Sequence, residues 1–192
     1  MQIEYEATFT NIDKNKIRNR LKECGATLEK KEFLQRRTVF NLPVSNPIKG
    51  SWIRVRDEED KITMSLKIVD GDKIENQKEI CLIVDKYDDA EAFLKTIGCQ
   101  WCAYQETKRE LWTLDGVEIT IDTWPFLEPF IEIEGDSEER VRKVADKLGF
   151  VWNMAKFCSV DTLYNEKYGI PIEIINDHTP KIVFDMENPF VN

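Results

Sequence analysis

Two short stretches of this chain, residues 3–6 and 130–134, alternate acidic residues with apolar or aromatic ones. Successive side chains of a β-strand point to opposite faces. Glu4 and Glu6 therefore share one face of the first stretch, and Glu132 and Glu134 share one face of the second. Four stretches between them place Arg or Lys on one face: residues 35–40, 52–56, 62–67 and 108–112. The pattern predicts a sheet with one strongly charged face.

This charged face allows two interpretations. If the sheet closes with the charged face inward, its lumen is polar, with grouped carboxylates for a cation and grouped basic residues for an anion. If the sheet stays open, the same face is an ordinary solvated surface, because alternation does not tell which face is buried. The alternation alone does not separate the two.

Three helices are predicted, and each ends at a glycine, the residue that most easily adopts the left-handed conformation of a helix C-terminus. The first begins at Asn11 or Asp13 and ends at Gly25, the second carries apolar residues from Ala90 to Ile97 and stops at Gly98, and the third begins at Asp136 and ends at Gly149. The remaining predicted strands are residues 34–42, 51–56, 61–69, 78–84, 104–114 and 117–122.

Three short helices beside seven or eight antiparallel strands favour an α+β fold, with a closed or nearly closed barrel of about eight strands and the helices outside it. We expect this tunnel-like domain to span residues 1–167. Residues 168–192 are rich in turn formers and are predicted to form an irregular or plug-like extension of unknown role.

The chain has 192 residues, of which 42% are hydrophobic and 33% charged, as is typical of a soluble globular protein. Its formal net charge of −9 argues against a nucleic-acid partner, so an anionic ligand needs a local basic cluster. No run approaches the roughly 18 apolar residues of a membrane span, and no targeting signal opens the chain. We expect a cytoplasmic protein without a membrane partner, and the oligomeric state stays open.

Five cysteines form an odd set that suits a reducing compartment. Cys99 and Cys102 form a single C-x-x-C pair. A structural zinc would need two more ligands, and His178 is the one histidine of the sequence, so metal or redox use of this pair is disfavoured. Glycine-rich phosphate loops and serine nucleophile motifs are absent from the sequence.

The charged strand faces carry the residue types that metal-assisted phosphoryl chemistry needs. Mg²⁺ and Mn²⁺ prefer carboxylate oxygens, while Arg and Lys hold phosphate oxygens by charge-assisted hydrogen bonds. Together such groups neutralise the charge of phosphoryl transfer. The candidate metal ligands are Glu4, Glu6, Asp122, Glu132 and Glu134, and the candidate phosphate-binding residues are Arg37, Arg54, Arg56, Lys67 and Arg109.

In this order along the chain, the motifs resemble the CYTH, or triphosphate tunnel metalloenzyme, superfamily. The resemblance runs from Ile3 to about Tyr164. It rests on Glu4-x-Glu6, on residues 52–56, 65–67, 107–109, 114–122 and 130–134, and on residues 159–164. It implies a barrel of about eight antiparallel strands around a tunnel, where Mg²⁺ or Mn²⁺ meets a small-molecule triphosphate. Members include class IV adenylate cyclases, thiamine triphosphatases and inorganic triphosphatases.

The resemblance also implies roles for single residues. The residues that match metal-binding positions of the family are Glu4, Glu6, Asp122, Glu132 and Glu134. Those that match phosphate-binding positions are Arg54, Arg56, Lys67, Arg109 and Lys156. We assign the catalytic role to Glu4, Glu6, Arg56 and Lys67. Glu79 is added from a weak internal repeat, in which a strand with a glutamate precedes a short helix that ends at glycine.

Two positions depart from the family pattern. Thr8 stands where the signature has a lysine, and Arg37 stands where many relatives have an acidic residue. Thr8 offers no positive charge, so we expect Arg37 or Lys156 to supply the missing cation.

The favoured prediction is a divalent-metal-dependent phosphohydrolase that acts on inorganic, nucleoside or thiamine triphosphate. One alternative is a class IV adenylate cyclase, which converts ATP to cyclic AMP and pyrophosphate. Another is a non-catalytic module that binds nucleotide or polyphosphate, as the loss of the lysine at Thr8 would suggest. The sequence has no decisive base-recognition feature, so it does not separate hydrolase from cyclase.

Overall fold

Strand pairing builds a nearly closed barrel in the computed structural model, which describes residues 1–191. Within these residues the strands are β1 (Gln2–Ile3), β2 (Tyr5–Phe9), β3 (Thr27–Asn41), β4 (Ser51–Asp57), β5 (Ile62–Val69), β6 (Gln77–Val84), β7 (Gln100–Leu114), β8 (Val117–Thr123), β9 (Phe130–Gly135) and β10 (Lys181–Ile182). Their order around the sheet is β1-β6-β5-β4-β3-β7-β8-β9-β2, and β10 pairs with β7 off this path. The predicted α+β barrel is confirmed.

The N-terminal run closes the barrel. β1 pairs antiparallel with β6, where Gln2 lies opposite Glu79, and β2 pairs antiparallel with β9, where Glu6 lies opposite Glu134. Glu4 lies between the two short strands, and its backbone N–H donates to the Gln77 carbonyl at 2.9 Å. One continuous segment therefore joins both ends of the sheet.

Five α-helices lie in the described part of the chain: α1 (Lys14–Glu23), α2 (Tyr87–Thr96), α3 (Glu138–Lys147), α4 (Val160–Tyr168) and α5 (Ile172–Asp177). The predicted cap of α1 is confirmed, because the Asp13 carboxylate accepts hydrogen bonds from the N–H groups of Asn15 and Lys16. α3 begins two residues after the predicted Asp136, and its N-cap is Ser137.

The apolar face of the sheet is its outer face. α1 and α3 pack there on strands β2, β8 and β9, burying Leu21 and Val141 against Phe9, Ile119 and Ile133. Burying these apolar side chains under helices removes them from water, and alternation then sends the charged side chains inward. Of the two interpretations of the charged face, the structure therefore shows the one with a polar lumen.

Some boundaries differ from the prediction for local reasons. β3 begins at Thr27 instead of Leu34, because its first half is interrupted by register shifts and carries charged residues at positions 29–32, which hide the alternation. In α2, Ala90 and Leu94 are buried, whereas Phe93 and Ile97 stay more than half exposed. The apolar face predicted for this helix was therefore too wide.

The prediction of irregular structure after residue 168 was wrong for α5 and β10. Ile182 of β10, Ile175 of α5 and Phe190 are buried in one cluster with Tyr164 and Phe130. Lys181 pairs in parallel with Tyr104 of β7. These elements are too short to give a clear period, and the barrel wall determines their structure. Across residues 1–191, the helices lack the length and apolar character needed to span a membrane.

A buried carboxylate fastens α1 to the barrel wall. Glu110 accepts two hydrogen bonds at its Oε2, at 2.9 Å from Arg18 Nε and 2.8 Å from Arg18 Nη2, and one at its Oε1 from Trp112 Nε1 at 2.6 Å. Glu110→Ala should lower the free energy of unfolding by about 2–4 kcal/mol, because it leaves the buried Trp112 N–H unpaired. Urea unfolding measures this loss.

The matched control is Glu29→Ala, whose carboxylate accepts from Thr113 at the exposed surface. It should cost less than about 0.5 kcal/mol. An equal loss for both variants would mean that the buried position of Glu110 does not matter.

Candidate functional site

The barrel lumen holds a cavity of about 1140 Å³ with a strongly charged wall. Eleven of the twelve residues proposed from the sequence line it: Glu4, Glu6, Arg37, Arg54, Arg56, Lys67, Glu79, Arg109, Asp122, Glu132 and Glu134. They come from eight different strands or strand ends, which the barrel brings to one inner surface. Alternation predicted which residues share a strand face, and strand pairing in the barrel brings these faces together around one cavity.

Lys156 is the candidate that the structure does not bring to the cavity. Its Nζ lies 2.6 and 2.8 Å from the carboxylate oxygens of Glu166. Its backbone instead bridges Thr8, with N–H to carbonyl distances of 2.9 and 3.0 Å, and Thr8 is 3% exposed. Of the two cations expected to replace the missing lysine, only Arg37 reaches the lumen.

One part of the lumen is acidic and poorly compensated. Glu134 of β9 lies directly opposite Glu6 of β2 on one side and Glu118 of β8 on the other. Among residues 1–191, the Glu6 and Glu134 side chains form neither a hydrogen bond nor an ion pair. Burial and the neighbouring carboxylates Glu4 and Glu118 raise the pKa of Glu134 to about 7. Burial and Glu132 raise the pKa of Glu6 well above its usual range.

The other acidic residues are held by cations of the protein. Glu132 accepts from Arg109 Nη2 at 2.7 Å, and Asp122 is ion-paired with the same guanidinium. Glu4 lies 2.9 Å from Lys67 Nζ. The five predicted metal ligands thus line one cavity, but three of them are turned toward basic side chains.

The carboxylates of the lumen do not form a complete metal site by themselves. In the range 1–191, no group of three or more His, Cys, Asp or Glu side chains converges as ready-made metal ligands. Glu6 and Glu134 nevertheless form an adjacent, half-buried pair whose pKa values are raised chiefly by removal from water and further by neighbouring carboxylates, and Lys67 offsets these shifts only in part. Mg²⁺ commonly takes only one or two protein carboxylates and completes its shell with water and substrate phosphates. The donor set therefore fits such an ion.

The neighbouring part of the lumen is basic. Arg37 Nη2 donates to the Gln35 Oε1 at 3.1 Å and to the Thr107 hydroxyl at 2.5 Å, and its guanidinium lies 4.5 Å from the Trp124 ring centroid. Arg54 Nη2 lies 3.4 Å from a Glu79 carboxylate oxygen. Both arginines are less than 9% exposed.

The described chain satisfies the donors and the charge of these two arginines only in part. The buried Nε groups of Arg37 and Arg54 have no hydrogen-bond partner among residues 1–191. Burial, with repulsion from Arg54 and Arg56, lowers the pKa of Arg37 well below its usual range. Burial, with repulsion from Arg56, lowers the pKa of Arg54 to about 10. A bound anion would satisfy these donors and offset the repulsion.

Several residues that shape the site were not predicted from the sequence. Glu58 was assigned to a turn, yet it is buried and accepts from Arg56 Nε at 2.9 Å, so it fixes the direction of that guanidinium. Gln35 and Thr107 fix Arg37, but neither carries charge that would have marked it. Glu118 continues the acidic face at the start of β8, and its exposed position next to a turn gave no sign that it borders the cavity.

The raised pKa of Glu134 predicts a pH dependence of stability. Between its usual pKa of 4.5 and about 7, the folded protein keeps a proton that the unfolded chain has lost. The stability from this group is therefore complete below pH 4.5 and is lost as the pH rises through 7, by an amount on the order of 2–3 kcal/mol. Urea unfolding in EDTA at a series of pH values measures it.

Glu134→Gln removes this titration, so the slope of stability against pH between 4.5 and 7 should become flatter. The surface variant Glu138→Gln should keep the wild-type slope. A slope that Glu134→Gln leaves unchanged would show that this carboxyl titrates normally.

The lumen of this nearly closed antiparallel barrel places buried arginines next to a group of carboxylates, and this arrangement defines a charged tunnel. The family follows from comparison: the chain belongs to the CYTH domain family, whose model matches residues 2–163. Comparison with curated proteins gives no match.

Solved structures share the fold. A conserved hypothetical protein from Pyrococcus furiosus is 20% identical with a TM-score of 0.68, and the match covers 81% of this chain and 96% of that one. A Vibrio parahaemolyticus protein named for a suspected adenylate cyclase activity is 15% identical with a TM-score of 0.71, covering 84% and 97%. A Hippeastrum protein, named for a suspected adenylyl cyclase activity and described as having a dominant triphosphatase activity, is 15% identical with a TM-score of 0.59, covering 90% and 99%.

Proposed function

We propose that this protein is a divalent-metal-dependent phosphohydrolase that acts on a small-molecule triphosphate held in the barrel lumen. The observation that carries the proposal is the pair of buried arginines, Arg37 and Arg54, whose Nε donors lack partners within residues 1–191. Buried charges and buried donors without partners are costly, so a ligand that supplies counter-charge and hydrogen-bond acceptors would stabilise this arrangement. Membership of the CYTH family supports the same conclusion.

In this proposal the basic residues bind and orient the phosphates. Arg37, Arg54 and Arg56 offer charge-assisted donors, and Glu58 keeps Arg56 in position. Lys67 stays protonated, because the neighbouring Glu4 and Glu6 more than offset the lowering of its pKa by burial. Arg109 is held by Asp122 and Glu132 and fixes these carboxylates at the edge of the phosphate site.

The carboxylates hold the metal. Glu6 and Glu134 are the first candidates, and Glu4, Asp122 and Glu132 lie beside them on the lumen wall. Bound Mg²⁺ or Mn²⁺ would supply charge neutralisation to the transferring phosphoryl group. The catalytic contribution of Glu4, Glu6, Arg56 and Lys67 is then to place opposite charges next to one another in one cavity.

Residues 1–167 form the tunnel domain in this proposal, and the C-terminal segment completes one wall. Ile172, Glu173, Asn176 and Asp177 of α5 line the cavity together with Trp52. The cavity therefore extends beyond the arginines, with room for an organic group attached to the phosphates. This room favours a second candidate, an adenylate cyclase that forms cyclic AMP and pyrophosphate from ATP.

Product analysis separates the candidates. The protein is incubated with tripolyphosphate, ATP or thiamine triphosphate, each with Mg²⁺ and with Mn²⁺, and Glu134→Gln serves as the blank for contaminating phosphatases. Orthophosphate release that the blank lacks supports the hydrolase, whereas cyclic AMP with pyrophosphate supports the cyclase. Saturable binding without any product would support a non-catalytic module and contradict both enzymes.

Single arginine variants test the phosphate site. Arg54→Ala and Arg56→Ala should each weaken binding of a non-hydrolysable triphosphate analogue by about 1.5–3 kcal/mol, or roughly 10- to 150-fold, because each removes hydrogen bonds to a charged group. Isothermal titration calorimetry measures the affinity. Arg142→Ala is the control, since this arginine forms an exposed ion pair with Glu138 on α3. Equal affinities in all three variants would place the ligand elsewhere.

A further inference from the structure

One edge of β6 is open. β5 pairs with β6 along its whole length, from Ile62 opposite Val84 to Val69 opposite Gln77. On its other side, β6 meets β1 and Glu4 alone among residues 1–191, through Gln77, Lys78 and Glu79. Within residues 1–191, the backbone of residues 80–84 has no strand on that side. Its outward N–H and C=O groups are free to pair with another strand.

The side chains of this segment are apolar and exposed. Ile80 is 43% exposed, Leu82 50% and Ile83 78%, and Cys81 between them is exposed as well. Edge strands usually avoid intermolecular pairing through lysine, proline or a bulge. Residues 80–84 have none of these protections, and their pairing with β5 is regular. The segment has the properties of an interface strand.

We propose that residues 80–84 bind a second copy of this chain by antiparallel pairing of β6 with β6 across a twofold axis. The axis stands perpendicular to the sheet, so each face of one strand continues into the same face of the other. With Leu82 of one copy opposite Leu82 of the other, Ile80 faces Val84 and Cys81 faces Ile83. Every pair in this register is apolar, and such cross-strand pairs stabilise a sheet.

This self-complementarity identifies the occupant as a second copy. A twofold interface needs a surface that matches itself, and five apolar residues with a central leucine meet that condition in antiparallel orientation. The pairing ends before Glu79, because Gln2 of β1 already occupies that edge opposite Glu79, so Glu79 does not pair with Asp85 of the second copy. The pairing segment is short, which predicts a dimer that dissociates on dilution.

Sedimentation velocity over a wide range of protein concentration tests the proposal. Wild type should shift from the monomer mass of 22.6 kDa to twice that mass as concentration rises. Leu82→Lys sets two like charges directly opposite each other at the axis and should raise the dimer dissociation constant by about tenfold or more. Ile83→Lys should weaken the dimer in the same direction.

Val44→Lys is the matched control, because Val44 is 74% exposed and lies outside the sheet. It should dimerise as wild type does, and unchanged melting temperatures would show that all three variants fold. In wild type, hydrogen exchange at the free amides of residues 80–84 should slow as concentration rises.

A wild type that stays monomeric at every concentration would overturn the proposal. So would a Leu82→Lys dimer as stable as that of wild type, or exchange at residues 80–84 that does not depend on concentration. These outcomes do not involve the lumen, so they leave the proposed hydrolase activity unaffected.

Discussion

Glu6→Gln and Glu134→Gln are each expected to lower metal-dependent turnover by about 1000-fold and to raise the stability of the metal-free protein. The loss of turnover follows because a metal supplies several kcal/mol of charge stabilisation, and a factor of ten costs about 1.4 kcal/mol. An amide keeps the shape of the side chain but is a far weaker ligand for a hard cation than a carboxylate.

The gain in stability has the same origin as the raised pKa values. At pH 8 the Glu134 carboxyl, with a pKa of about 7, is largely ionised, and burial and neighbouring carboxylates oppose the charge on both Glu6 and Glu134, so each neutral amide should add about 1–3 kcal/mol to the free energy of unfolding. Mg²⁺ should raise the melting temperature of wild type and have little effect on either variant.

Steady-state kinetics and melting curves with and without EDTA measure both effects, and Glu138→Gln on the surface is the control. Opposite shifts in activity and stability are characteristic of a site that holds unfavourable charge for its function. A variant that keeps full activity and melts as wild type does would remove these residues from the metal site.

The double variant Arg37→Met and Arg54→Met is expected to lose tripolyphosphate binding by more than about 100-fold and to be more stable than wild type without ligand. Two buried guanidinium groups with unpaired Nε donors weigh against folding, and methionine fills similar volume without charge. The ligand loses the hydrogen bonds of both groups. The two sites repel each other, so their effects are not additive.

Calorimetric titration with tripolyphosphate and chemical unfolding without it measure the two changes. The control exchanges a surface pair, Arg140→Met with Arg142→Met, and should alter neither binding nor stability by more than a small amount. If the lumen variant were strongly destabilised in the absence of ligand, the arginines would be structural.

The faces of the strands were predictable from sequence because alternation of side chains is a strictly local property. Glu4, Glu6, Arg54, Arg56 and Lys67 needed only a strand of the correct register to share one surface. Whether that surface points into the barrel or toward solvent is not a local property of the sequence. In the structure α1 and α3 cover the opposite face of β2, β8 and β9, so the charged surface points into the barrel.

The features that the sequence did not predict correctly are contacts between segments distant in sequence. The motif comparison placed Lys156 near the site, but its side chain has Glu166 as a nearer partner and only its backbone meets Thr8. Glu58 sits in a turn of four charged residues, and nothing local distinguishes the one that is buried beneath Arg56. Which member of a charged run finds a buried partner depends on the closed barrel.

Phosphorus NMR of tripolyphosphate with the wild-type protein and Mg²⁺ tests the central claim most directly. Hydrolysis of one terminal phosphoanhydride bond consumes one water and yields one pyrophosphate and one orthophosphate. We expect equal initial appearance of these two products, none in EDTA, and none with the double variant of Arg37 and Arg54. Intact tripolyphosphate with the wild type, or an equal rate with the double variant, would contradict it.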